Sequence, residues 1–248
     1  KHMKIAVIGA GPIGCYSGYL LASNGHEVTI YEEHKTIGSP IQCTGLLTSE
    51  FDTFNFPMDS FLVNTFNEVS VNTKNKHFTI AQKEYLVCRT KFDQFFANMA
   101  QKAGATIHTS HSFVRKEENV LIIKDIVNNS EKRITPDIVI AADGPLSKTL
   151  KAYNFYESSR KQYYGIQAVV EGDFSSKRFD TYFGKEICPD LFIWVVPESD
   201  TKARVGLASK KDTRKLFDAF MKQHNYTSIE IQAGTIPIYN PKQKVHKD

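Results

Sequence analysis

The sequence predicts an α/β fold in which a parallel sheet with covering helices is interleaved with a mostly antiparallel sheet. Three observations carry this reading. Lys4–Ile8 is an apolar run of buried-strand length, followed at once by Gly9-Ala10-Gly11-Pro12-Ile13-Gly14 and a helix-compatible segment that Gly25 closes. Asp137–Ala142 is a second full apolar strand, and it runs straight into Asp143-Gly144. Elsewhere, short runs of alternating character are separated by polar turns, as antiparallel pairing requires.

Taken in order, the first strand, glycine turn and helix lead to a second strand, Val28–Tyr31, which ends in Glu32 and Glu33. Each glycine has its own task. Gly9 permits a tight turn, Gly11 lets backbone approach a pyrophosphate, and Gly14 lets helix and strand pack closely. The phosphates would rest on the amides of the first helical turn, beside Pro12 and Ile13, where unpaired N–H groups and the helix dipole favour negative charge. Glu32 lies 18 residues past Gly14, the spacing at which a carboxylate meets a ribose hydroxyl. An acid there favours a free 2′-hydroxyl, hence FAD or NAD over NADP. This half is therefore read as a Rossmann-like dinucleotide-binding domain.

From Glu33 to Phe51 the periodicity stops, so Gly38–Leu47 is expected to be a loop followed by a short helix. Glu68–Asn72, Phe78–Ala81 and Tyr85–Cys88 read as three strands of an antiparallel meander. Thr90 is expected to cap a helix that carries Phe92, Phe95, Phe96, Met99 and Ala103 inward, with Gly104 ending it. Strands follow at Thr106–His108, Ser112–Lys116, Val120–Lys124 and Lys132–Thr135. After Gly144 come Gly165–Glu171, Phe179–Phe183, Leu191–Val196, Arg204–Leu207 and Ile229–Ala233. One further helix, about 213–224, turns Leu216, Phe217, Phe220 and Met221 inward. Residues 1–60 and 86–152 are assigned to the cofactor domain, and 61–85 and 153–248 to the antiparallel domain. Gly9, Glu32 and Asp143 all fall at strand ends, where ligands of open α/β sheets lie.

Composition narrows the field. A chain of 248 residues that is 41% hydrophobic can furnish real cores. No apolar run approaches the ~20 residues of a membrane span, and the first residues lack a secretory pattern. Lys1-His2 reads as a vector remnant ahead of Met3. A net charge of +4 does not argue for nucleic acid as a partner, although it would suit an anionic lipid surface. Cys15, Cys43, Cys88 and Cys188 are too far apart for a zinc arrangement, and a reducing cytoplasm is their simplest setting. Cys15 and Cys88 read as small buried hydrophobes, whereas Cys43 has polar, turn-like neighbours. The histidines have no ligand spacing, and no metal site is assigned.

Four segments in a set order resemble the geranylgeranyl reductase family of FAD-dependent oxidoreductases, within the glutathione-reductase-like flavoproteins that include p-hydroxybenzoate hydroxylase. They are Gly38-Ser39-Pro40-Ile41-Gln42-Cys43-Thr44-Gly45-Leu46, Val87-Cys88-Arg89-Thr90, Asp143-Gly144-Pro145-Leu146-Ser147 and Pro189-Asp190-Leu191-Phe192-Ile193-Trp194-Val195-Val196-Pro197. The resemblance implies FAD as cofactor, with Cys43 and Thr44 in a loop beside the isoalloxazine and Arg89, Asp143 and Gly144 contacting the FAD. The backbone of Val114 would meet the adenine. Phe192, Trp194 and Gly206 would belong to the substrate face. Phe192 stands where the family pattern has tyrosine, and Val196 where it has phenylalanine.

The implied reaction saturates carbon–carbon double bonds of geranylgeranyl groups, those of membrane lipids being the expected substrates. An isolated alkene has no carbonyl to polarise, so a proton must reach it from the protein, and Cys43 is the candidate donor. A prenyl chain needs a long apolar pocket, since about 0.8 kcal/mol comes from each buried CH₂. Phe183 and Leu191 are further candidates for its walls, and core packing is an equal alternative for each. The partners implied are a prenyl lipid and an electron donor, NAD(P)H or ferredoxin-type, with the protein in the cytoplasm or at the membrane periphery. Two alternatives stay open: an FAD-dependent aromatic monooxygenase, and a non-catalytic nucleotide-binding fragment. In the family, a segment like Pro237–Lys242 leads into a strand ending in Gly-Asp, which this chain does not reach, so weakened FAD retention is expected.

Overall fold

The computed structural model describes residues 2–155, 160–243 and 245–246; Lys1 and the terminal Asp248 lie outside them. The chain begins with β1 (Lys4–Ile8), α1 (Pro12–Ser23) and β2 (Glu27–Tyr31). A strand β3 (Leu46–Thr48), a 3-10 turn over 49–54, and a long hairpin of β4 (Leu62–Asn72) and β5 (His77–Val87) follow. Next come α2 (Arg89–Lys102), β6 (Thr106–His108), β7 (His111–Glu117), β8 (Val120–Asp125), β9 (Ser130–Ile134), β10 (Ile138–Ala141) and α3 (Lys148–Ala152). The remainder is β11 (Gln162–Glu171), β12 (Arg178–Gly184), β13 (Cys188–Ser199), β14 (Lys202–Ser209), α4 (Thr213–Gln223) and β15 (Ser228–Pro237).

Two compact units result: residues 1–40, 90–160 and 239–248 form the first, and 41–89 and 161–238 the second. The expected boundaries placed the ends of the antiparallel half, 153–160 and 239–248, outside the first unit, with which they group, and placed 41–60 and 86–89 with the cofactor half. Those residues instead group with the antiparallel unit, because β3 pairs with β5 through Leu46 and Leu86 and ties the loop to that sheet.

The first unit is built on a parallel sheet of order β10-β1-β2-β6. Ile5, Ala6, Val7 and Ile8 are all buried, as a central strand covered on both faces demands. Because β1 lies between β2 and β10, the carboxyl ends of these three strands are neighbours. Ala6, Ile8 and Tyr31 of the sheet pack against Phe113, Leu121 and Ile123 of the three-stranded β7-β8-β9 sheet.

The second unit is an eight-stranded sheet of order β15-β11-β14-β13-β12-β4-β5-β3, antiparallel except where β12 runs parallel to β4. Strand alternation divides it into two faces. On one, Ile166, Ala168, Val170, Ile193, Val195, Val205 and Leu207 pack under Phe217, Phe220 and Met221 of α4. Burying each of these large side chains contributes roughly 1.5–3 kcal/mol. On the other face, Trp194 and Val196 pack with Phe66, Val69, Leu86 and Phe179.

Three local expectations are corrected. Phe78–Ala81 and Tyr85–Cys88 are not separate strands: β5 runs through both, and the polar Gln82-Lys83-Glu84 stretch falls at a register shift opposite Phe66–Glu68 rather than at a turn. Thr90 is not a cap, since α2 already includes Arg89, and the Thr90 hydroxyl donates to the Gly38 carbonyl at 2.9 Å. The short strand β3 and helix α3 carried no periodic signal, being three and five residues long.

Candidate functional site: a nucleotide cradle and a substrate face

In the first unit the glycine turn takes the shape its chemistry requires. A Cβ on Gly9, whose φ is +103°, would lie 2.3 Å from the Ala142 carbonyl oxygen, and one on Gly14 would lie 2.1 Å from the Gly9 carbonyl oxygen. The turn after β1, the start of α1 and the Asp-Gly turn after β10 are thus pressed together backbone to backbone. Gly11 is different. It is the N-cap of α1, and a Cβ there would meet nothing within 4 Å. No side chain caps the helix, and Pro12 occupies its first turn without an N–H to satisfy. An open approach, free of side chain, therefore leads to the positive end of a helix, which fits a pyrophosphate.

Glu32 is buried at the end of β2, its Oε2 accepting from the Ala10 N–H at 2.8 Å. Its Oε1 accepts from the His34 N–H at 2.9 Å and meets His34 Nδ1 at 2.6 Å. The carboxylate is thereby pinned beside the glycine turn with acceptor capacity left on Oε2. Glu33 points elsewhere, accepting from the Ser112 hydroxyl at 3.2 Å with Lys148 Nζ at 3.5 Å. Val114 coincides with a break in register between Phe113 and Arg115 in β7. Such a bulge releases main-chain groups from the ladder, which suits recognition by backbone.

Asp143 organises the turn to which it belongs. Its carboxylate accepts from the Ser147 hydroxyl, from the Thr149 N–H at 2.9 Å and from the Thr149 hydroxyl at 3.0 Å. Ser147 in turn accepts from the Leu150 N–H at 2.9 Å, capping α3. The Asp143 side chain holds the turn in shape, while Gly144, at φ +77°, faces open space. Cys15 is fully buried with its thiol donating to the Ala10 carbonyl at 3.3 Å. Burial, together with Asp93 and Glu32, pushes that thiol up to about 12. Among the described residues no group of three His, Cys, Asp or Glu side chains is placed to hold a metal.

In the second unit, Cys43 is exposed on the loop that precedes β3. That loop is held by side chains from distant strands. Arg204 Nη1 donates to the Thr44 carbonyl and, at 3.1 Å, to the Val87 carbonyl, while its Nε donates to Glu198 Oε1 at 2.8 Å. Burial pushes the Glu198 carboxyl up, but the hydrogen bond and charge of Arg204, with help from Lys202, outweigh it and hold the group below the usual carboxylate range. Gly45, at φ +84°, fits where a Cβ would lie 2.6 Å from the Val87 carbonyl oxygen. The stem of Arg89 packs beside it.

Phe192 and Trp194 share a face, as alternation requires, with ring centroids 6.1 Å apart, and Phe183 lies 5.1 Å from Phe192. Phe192 thus extends an apolar wall where a tyrosine would have brought a hydroxyl. Gly206, opposite Trp194 on β14, has no room for a side chain: a Cβ would lie 2.7 Å from the indole. Sequence reasoning missed Gln167, Arg204 and Glu198. A polar residue inside the apolar run Ile166–Val170, and a charge inside Ala203–Ala208, were the available signals.

The fold and the cradle are those of a Rossmann-like domain, and residues 7–67 match the model of the NAD(P)-binding Rossmann-like domain family. Similarity extends much further. The chain is 27% identical to the digeranylgeranylglycerophospholipid reductase of Methanocaldococcus jannaschii, across 98% of this chain and 67% of that one. It shares its fold with a geranylgeranyl bacteriochlorophyll reductase-like protein of Thermoplasma acidophilum, at a TM-score of 0.86 and 23% identity, over 96% of this chain and 66% of the other. The flavin-dependent halogenase CmlS has the same fold at a TM-score of 0.71 and 16% identity, over 96% of this chain and 50% of its own. The chain thus spans about two thirds of the length of its reductase relatives.

Proposed function

We propose that the protein is an FAD-dependent reductase that saturates carbon–carbon double bonds in geranylgeranyl groups of membrane lipids. The single observation that carries this is the joining of the open Gly11 approach, on an uncapped helix N-terminus, to whole-chain similarity with digeranylgeranylglycerophospholipid reductase. In this reading the amides of the first turn of α1 would hold the pyrophosphate of the ADP moiety, Glu32 a ribose hydroxyl, and the main chain at Val114 the adenine. When bound, the flavin supplies the hydride.

The chain's own residues supply the rest. Cys43 holds the proton destined for the second alkene carbon, and Arg204 and Glu198 keep its loop in place. Phe192 and Trp194 form the apolar surface against which a prenyl chain desolvates. NAD(P)H or a ferredoxin-type protein is the electron source. No helix among the described residues is long and apolar enough to cross a membrane; in this reading the protein meets its lipid at the membrane periphery.

The test is reduction of a digeranylgeranyl phospholipid by the FAD-loaded, chemically reduced protein, read by mass spectrometry as two added hydrogens per saturated bond. Cys43→Ala is expected to lower the rate by about 10²–10⁴, the usual worth of a positioned proton donor. Absence of any hydrogen uptake, with NADPH-driven oxygen consumption on a phenol instead, would move the assignment to the monooxygenase chemistry of the same fold.

A further inference from the structure

One row of residues crosses the second unit's sheet on the face away from α4. Trp194 on β13 lies opposite Gly206 on β14, Gly206 opposite Gln167 on β11, and Gln167 opposite Gln232 on β15. Two strand spacings, roughly 10 Å between backbones, separate Trp194 from Gln167, yet their side chains meet. They do so because Gly206 has no side chain: a Cβ there would lie 2.5 Å from the Gln167 Cβ and 2.7 Å from the indole.

Gln167 is buried. Its Oε1 accepts from the Thr44 hydroxyl at 2.8 Å and from the Trp194 indole N–H at 3.4 Å, and its Nε2 donates to Gln232 Oε1 at 2.5 Å. The direction of the carboxamide is fixed by chemistry, since an indole nitrogen can only donate and must therefore face the oxygen. A single amide thus joins the residue next to Cys43 to the only tryptophan in the chain.

We propose that Gln167 is a positioning residue that ties the Cys43 loop to the Trp194 wall, and that Gly206 is the gap that makes the tie possible. The catalytic meaning of this tie rests on the reductase reading, because it would fix the distance between proton donor and bound alkene. The tie itself does not depend on that reading, and it can be measured without turnover.

The experiment follows Trp194 emission and the rate at which iodoacetamide alkylates Cys43, resolved by peptide mass spectrometry, in the full chain and its variants. Gln167→Leu is expected to shift the emission maximum and raise Cys43 alkylation by about fivefold, the change that one lost hydrogen bond brings. Thr44→Val should raise it similarly, and the double variant no further than either single one, since both cut the same link. Gln167→Glu keeps an oxygen that accepts from Thr44 and Trp194 although it loses the donation to Gln232, and should alkylate more slowly than Gln167→Leu, which a merely structural role would not require. Gly206→Ala should mimic Gln167→Leu by driving the two side chains apart.

Wild-type emission and alkylation in Gln167→Leu would overturn the proposal, as would full additivity with Thr44→Val. If Gln167→Leu fails to fold, Thr44→Val and Gln167→Glu decide between the same outcomes. Should the chain reduce no prenyl lipid while the alkylation pattern holds, the tie stands and the reductase reading falls.

Discussion

The crevice at the end of β1 is made almost entirely of main chain, whereas the face around Trp194 is made of side chains that converge from five strands and a loop. In the first, glycines at 9, 11 and 14 remove side chains so that backbone can touch backbone or remain open to a ligand. In the second, Gln167, Arg204 and Glu198 reach across the sheet to hold a loop far away in sequence. A main-chain site depends on a few consecutive residues and their φ angles. A side-chain site depends on register, and any slip dismantles it.

The contrast can be broken most forcefully at the Arg204–Glu198 ion pair. Arg204→Leu should destabilise the protein by about 3 kcal/mol, through loss of the charged hydrogen bonds to the Thr44 and Val87 carbonyls and to Glu198, read by chemical denaturation, whereas Glu198→Gln, which keeps an accepting oxygen, should cost less. The carboxyl of Glu198 is held below its ordinary range in the folded protein. Its contribution is therefore full at neutral pH and is lost as pH falls from the ordinary value of about 4.3 through the lower folded one. Melting temperatures of the wild type should drop more steeply over that acid range than those of Glu198→Gln.

Next in size are the glycines. Gly14→Ala should cost roughly 1–3 kcal/mol by overpacking against the Gly9 carbonyl. Gly11→Ala should leave the melting temperature of nucleotide-free protein unchanged and weaken FAD binding by at least about tenfold, equal to 1.4 kcal/mol, by calorimetry. If both variants behave alike, the distinction between a packing glycine and an approach glycine fails.

Asp143→Ala should be milder, near 1 kcal/mol, since it removes side-chain bonds to one short helix. Asp143→Asn, which keeps an accepting oxygen, should retain most of that stability. The smallest perturbation is a labelling experiment at pH 8: Cys43, exposed, should be alkylated in native protein, while Cys15, buried and pushed up to about 12, should react only after denaturation.

These differences also explain what could be read from the sequence. The glycine turn, Glu32 and the Asp-Gly pair were legible because each is a local pattern with one geometric meaning. Trp194 and Phe192 were legible by alternation. Gln167 was not, because nothing in Ile166–Val170 says that a glutamine there lies across a glycine from a tryptophan 27 residues away. The bonds from Asp143 to Ser147 and Thr149 were not legible, because a motif names a residue without saying which of its neighbours will claim its oxygens. The length of β5 was missed because polar residues at a bulge look like a turn until their partner strand is known.

The ladder break at Val114 has an evolutionary corollary. Under the proposed reading, a purine edge met by main-chain atoms would place no demand on the side chain above it, so this position would be free to drift among descendants while base selectivity persists. A saturation library there should show near-uniform retention of adenine nucleotide, with proline, which lacks the N–H, as the exception.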